Sequence, residues 1–219
     1  MLSVFKDLDF TGNKKVLDGF IDSISAVKVA KWERWYEGEK RIESMALSDD
    51  DRFIVFKRTS HKGIPDVSLF LTYLKERLVV TNIVPEEGEL TKAQYNEIID
   101  DFVKSVVSEN IAFFDVLMTV TKGELPITHW LSQDTAALLD RFSKTANKST
   151  GSSHPLDLQR WNSFIIAAHR EKSNLDSTTL ERWFVQEEGW GIDAATSLAI
   201  EYEFARGLLS LYDQSGSDD

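Results

Sequence analysis

The chain has 219 residues, 42% of them hydrophobic and 28% charged, with a formal net charge of −11 and no cysteine. That length and apolar content support one sizeable core or two smaller ones without metal or covalent staples. The acidity opposes non-specific attraction to phosphate backbones and anionic lipid, and the missing thiols exclude disulfides, thiolate metal sites and a cysteine nucleophile.

From the start of the chain, Val16, Leu17, Phe20, Ile21 and Ile24 recur at helical spacing and leave Asp18 and Asp22 for solvent, which predicts an amphipathic helix. Lys28 to Tyr36 reads as a strand whose Trp32, Trp35 and Tyr36 would equally finish a helix. Arg52–Arg58 is apolar on both faces, as expected of a central or doubly covered strand. Val67–Leu74 and Leu78–Val84 follow as a hairpin that closes at Lys75, Glu76 and Arg77, with Pro85 ending it. Thr91 and Gln94 form a capping box, stapled by Leu90 and Tyr95, before a stripe of Tyr95, Ile98, Ile99, Phe102, Val103 and Val106. Glu97, Asp100 and Asp101 are expected to face away from that stripe as a solvated acidic face; no histidine accompanies them to suggest a metal.

Beyond Glu109 the pattern turns helical. Helices are expected at Ile111–Thr119, at Gln133–Lys144, and after Pro155 with Leu158, Trp161, Ile165 and Ala168 packing, separated by Gly123 and Pro126 and by the polar loop Lys148–Ser153. Thr178 and Glu181 suggest a capping box before Leu180, Trp183 and Phe184, Gly189 breaks the run, and Asp193 can cap the last helix. The fold class expected is α+β, a small mostly antiparallel sheet of three or four strands with flanking helices, followed by a mainly helical region. The expected domains are residues 1–109, with 16 Lys or Arg against 20 Asp or Glu for a net of −4, and residues 110–219, with 9 against 16 for a net of −7.

Motifs for chemistry are sparse. The four histidines share no metal-ligand spacing, and the chain has no nucleophile elbow, phosphate loop or dinucleotide fingerprint, so neither a metal nor a cofactor is expected. An enzyme would have to be assembled from His169, Arg160 and Glu187, acting as a hydrolase or transferase on a small anionic substrate. Trp130 and Trp190 would line a ligand slot or close a small core.

The last helix is the strongest signal. Leu198, Tyr202, Ala205, Leu209 and Tyr212 mark one stripe, and Ile200, Phe204, Leu208 and Leu211 mark another, roughly 160 to 200° away at 100° per residue. A surface helix needs only one apolar stripe, so the second should meet another part of the chain, a second copy or another protein. Glu201 lies between the stripes, where burial would require a cationic or donor partner. The leading expectation is therefore an acidic protein-binding module, of the kind found in inhibitors, antitoxins or immunity proteins, that uses Glu201, Phe204, Leu208, Tyr212 and Trp190 against a basic partner surface. Nucleic acid and membrane are disfavoured as partners. The absence of cysteine, of a secretory run in Met1–Phe10 and of a membrane-spanning segment suits the cytoplasm.

Overall fold

The computed structural model describes residues 1–27, 31–43 and 52–215. They divide into two compact units, Ser3–Gly123 and Met1–Leu2 with the described residues from Glu124 onward. After the short β1 (Leu2–Ser3), the first unit contains β2 (Leu8–Thr11), α1 (Lys14–Ser25), β3 (Trp32–Arg34), α2 (Tyr36–Glu43), β4 (Phe53–Arg58), β5 (Val67–Leu74), β6 (Arg77–Pro85), α3 (Lys92–Phe102) and β7 (Leu117–Val120). Its strands form one antiparallel sheet in the order β3-β4-β5-β6-β2-β7, flanked by helices.

The local signals explain most of these elements. Asn13 accepts from the Val16 amide and starts α1, whose Leu17, Phe20, Ile21 and Ile24 are buried. Thr91 and Gln94 close both halves of their capping box, and α3 then runs into a π-helical turn, Val103–Val107, that buries Val106 and Val107. Within the segment expected as a strand from Lys28 to Tyr36, residues 28–30 lie outside the described residues. The strand occupies Trp32–Arg34 and Tyr36 opens α2.

Six strands replace the expected three or four, and the largest difference is at Ile111–Thr119. Instead of a helix, a 3-10 turn at Ile111–Phe113 leads into β7, which pairs with β2 through Phe10↔Met118 and Leu8↔Val120. β-branched Val116, Thr119 and Val120 suit that pleated edge, and Met118 packs against the core below it. Because β7 belongs to the sheet, the division of the chain falls at Gly123 rather than at Asn110.

Asp101 also departs from expectation. It turns inward and accepts hydrogen bonds from Arg58 Nε at 2.9 Å, Lys31 Nζ at 2.9 Å and Trp32 Nε1 at 3.1 Å. Arg58 is only 2% exposed on β4, and a guanidinium that deep requires an anion, which the inner edge of α3 supplies. Burial alone would raise the Asp101 carboxyl, but the donors from Arg58, Lys31 and Trp32 prevail and hold it at about 2. A second buried pair joins Arg34 to Glu39 through two hydrogen bonds of 2.8 and 3.1 Å, with Glu39 also taking the Val55 amide at 3.0 Å.

The second unit contains β8 (Glu124–Leu125), the partner of β1, then α4 (Gln133–Thr145), α5 (Pro155–Arg170), α6 (Ser177–Gln186) and α7 (Ile192–Ser215). Its core is aromatic: Phe142 lies 4.9 Å from Trp161 and 5.7 Å from Trp190, and Phe164 stacks on Tyr202 at 5.6 Å, all between ring centres. Pro155 takes the first turn of α5 as expected, and Trp161, Ile165 and Ala168 are buried. Leu158 is exposed instead of packing, because the inward position one turn before Trp161 is taken by Asp157, paired with Arg160 at 2.7 Å. The cap of α6 is Asp176, which accepts from the Thr179 amide, in place of the expected Thr178 and Glu181 box. Gly189, at φ 66°, ends that helical run in the left-handed region where glycine carries no steric penalty.

Candidate functional site

The candidate site is built on α7. Its inner edge is fixed by Ala195, Leu198, Ala199 and Tyr202, all buried. Tyr202 donates its hydroxyl to the Leu175 carbonyl at 3.2 Å, and Arg206 donates to the Leu175 and Ser173 carbonyls at 2.7 Å each. Burial raises the Tyr202 phenol above its ordinary range, although Arg206 acts in the opposite direction. These bonds tie α7 to the connection between α5 and α6 and fix its rotation. Which stripe is covered follows directly.

The outer stripe is bare. Ile200, Phe204, Leu208, Leu211 and Tyr212 are between 58% and 74% exposed. Spaced at three, four and one residues, they cover about 120° of the helix surface. Tyr212 thus joins the outer face. Expected beside Leu209, it sits three residues further on and is rotated away from it by about 60°.

Glycine at position 207 sharpens the picture. It lies near the middle of α7, where glycine costs about 1 kcal/mol relative to alanine. A methyl group there would meet nothing within 4 Å, so the packing of the unit does not require its absence. On the helical wheel Gly207 borders Ile200, Phe204 and Leu211, and it lowers the surface beside the stripe to bare backbone.

The exposed charges that α7 itself sets beside this stripe, Glu201 and Glu203, are acidic. Glu201 and Glu203 are exposed, each accepting one hydroxyl hydrogen bond, Glu201 from Ser152 at 2.8 Å and Glu203 from Ser177 at 2.7 Å. Glu201 is not the buried carboxylate that its place between two apolar stripes suggested; with the outer stripe uncovered, the boundary between stripes is itself in solvent. Arg206, the basic residue of α7, is turned inward. Trp190, expected to face a partner or ligand or else to close a small core, is buried at 3% exposure, stacks on Phe142 and donates its indole N–H to Ser143 Oγ at 2.8 Å, so it belongs to the core. Trp130 is half-buried against the same core.

His169, Arg160 and Glu187 do not converge. His169 Nε2 donates to Asp213 Oδ2 at 2.8 Å, Arg160 pairs with Asp157, and Glu187 receives the amino group of Met1. His169 and Arg160 are nine residues apart on α5, which separates their backbones by about 13 Å along the helix. The hollows that Arg160 and Glu187 line are different ones, and His169 lines neither. Among the described residues no three His, Asp or Glu side chains gather as a metal site, and no helix is long and apolar enough to cross a membrane. Comparison with protein-family models, curated proteins and solved structures finds no match.

Proposed function

We propose that the helical unit is a protein-docking module whose α7 face receives a basic amphipathic segment of another protein. The observation that carries this reading is the bare stripe from Ile200 to Tyr212 with Gly207 at its border. A contiguous apolar strip left in water on a helix whose other apolar face is already packed suits an interaction surface, and a glycine with no internal packing reason lets an incoming backbone approach closely. Charge selects the partner. Residues 124–219 hold 8 Lys or Arg against 15 Asp or Glu, a net of −7, and the exposed carboxylates of Glu201 and Glu203 border the strip. A second copy would bring those acids together without an exposed base from α7, whereas lysines and arginines on a partner would meet them favourably. An inhibitor, antitoxin or immunity-like role in the cytoplasm is the narrower form of this proposal and rests on acidity, size and the surface alone.

The test begins with co-purification from the native cell at low salt and continues with titration of the purified partner. Phe204→Asp and Leu208→Asp should each weaken binding by about 100-fold or more while leaving the fold intact, and rising salt should slow association. A partner that binds both variants as tightly as the parent chain, or a stable dimer that conceals the stripe in sedimentation, would overturn the reading.

A further inference from the structure

We infer that the sheet unit carries a second, independent site, a groove at the turn of the β5–β6 hairpin that binds the phosphate group of a small organic anion. The groove measures about 1040 Å³ and is lined by Thr11, Lys14, Arg52, Tyr73, Lys75 and Arg77, together with Leu74 and Glu76. Its walls come from four separate stretches of chain: the end of β2, the first turn of α1, the residue before β4, and the hairpin turn. The Gly12 amide, which donates to the Glu76 carbonyl at 3.2 Å, fastens the first of these to the last.

Four cations and one acid, Glu76, line it in a unit that is acidic overall, with 17 Lys or Arg against 21 Asp or Glu over residues 3–123. The two arginines are positioned without being used up. Arg52 gives Nη1 to Asp18 at 2.9 Å and lies over the Tyr73 ring at 5.7 Å, and Tyr73 in turn donates its hydroxyl to Asp18 at 2.7 Å. Arg77 gives Nη2 to Asp9 at 2.9 Å. A guanidinium has five N–H donors, so one held by a single carboxylate is oriented and retains donors for a tetrahedral anion. Lys14 and Lys75 have no acidic partner among the described residues. Lys14 stands in the first turn of α1, which holds no acid, so the positive end of the helix adds to the field of the side chains.

The hairpin turn carries a further mark. Lys75 is held at φ 58°, the left-handed conformation that a tight hairpin ordinarily assigns to glycine or asparagine. A long cationic side chain at that position accepts a backbone penalty of about 1 kcal/mol and aims its charge from the tip of the hairpin.

The chemistry of the walls narrows the ligand. Oriented guanidiniums match phosphate oxygens in a fixed fork, and ammonium groups add point charges beside them. Tyr73 and the exposed Leu74 supply an apolar wall next to the cations, which suits a phosphate attached to an organic body better than a bare ion. A net charge of −11 opposes the tracking of a long polyanion, which favours a small molecule over a nucleic acid.

Titration of the full-length chain at low ionic strength, followed by backbone amide resonances, tests the site with phenyl phosphate, inorganic phosphate and a short single-stranded RNA as probes. Phenyl phosphate should give saturable shifts centred on Thr11, Lys14, Lys75 and Arg77, and should bind about fivefold or more tightly than inorganic phosphate. The double variant Lys14→Glu, Lys75→Glu, with both positions exposed and outside the core, should lose about tenfold or more in affinity at unchanged thermal stability. Shifts that fail to saturate or centre elsewhere, a double variant that binds normally, or RNA binding tighter than phenyl phosphate would overturn the inference. None of these results bears on α7, so the two sites stand or fall separately.

Discussion

The sheet unit and the helical unit both have apolar cores but differ in the largest group that each buries. In the first, the largest fully buried side chain is an arginine, Arg58, held by Asp101 with Lys31 and Trp32 joining it. In the second, the largest is Trp161, packed against Phe142, Phe164, Phe184 and Tyr202. A buried ion pair brings strict geometry and a dependence on protonation, whereas an aromatic cluster brings area and tolerates pH. The contrast predicts where each unit fails.

Trp161→Ala should be the most damaging single change, costing about 4 kcal/mol in chemical unfolding, because it empties a large volume that rigid rings cannot fill. Asp101→Ala should follow at about 3 kcal/mol, since it leaves the Arg58 charge buried without its anion. Arg58→Met combined with Asp101→Leu should recover much of that loss. If the double variant is no more stable than Asp101→Ala, the ion pair contributes something that apolar packing cannot replace.

Acid should separate the units. The Asp101 carboxyl titrates at about 2 in the folded chain against an ordinary value of 3.8, so its contribution is fully present above about pH 4 and is lost as pH falls toward 2. Asp101→Asn should remove this part of the acid sensitivity of the sheet unit, measurable as a flatter dependence of unfolding free energy on pH in that range. Glu171 in the helical unit is also held below its ordinary range, with burial opposed by hydrogen bonds from Ser132 and Thr135, but no buried cation depends on it. A helical unit that unfolds first on acidification would contradict the comparison.

Smaller effects are expected on the outer face of α7. Gly207→Ala should stabilise the chain by about 0.5 to 1 kcal/mol while weakening partner binding, a pairing of opposite signs that a purely structural glycine would not produce. Glu201→Ala and Glu203→Ala should each change stability by no more than about 0.5 kcal/mol, both carboxylates being exposed. A markedly larger loss for Glu201 in unfolding would mean that its bond with Ser152 holds the turn before α5.

What was legible in the sequence was what neighbouring residues decide among themselves. The Thr91 and Gln94 box, Pro155 at the start of α5, the hairpin around Lys75 and Glu76, and the stripes of α1 and α7 all rest on spacings of a few residues. β7 was not legible because its partner, β2, lies more than a hundred residues earlier, and Phe10 rather than any local pattern sets the face of Met118. Asp101 looked like its neighbours Glu97 and Asp100 until Arg58 arrived from another strand. At the candidate site, periodicity revealed both stripes, but only the bonds of Tyr202 and Arg206 to the connection between α5 and α6 decided which one faces water. The lack of an internal role for Gly207 emerged only once its surroundings were known.

Leu2, wholly buried in the core of the helical unit, bears on how the molecule comes into being. Ser3–Gly123 lies between this leucine and the rest of that core, so a ribosome makes the leucine well before its partners, and the helical unit cannot finish folding until the sheet unit is complete in sequence. A fragment starting at Glu124 would lack the leucine and carry a void costing about 2 to 5 kcal/mol. Binding studies on α7 therefore call for the whole chain, or for a fragment to which the opening residues have been rejoined by circular permutation.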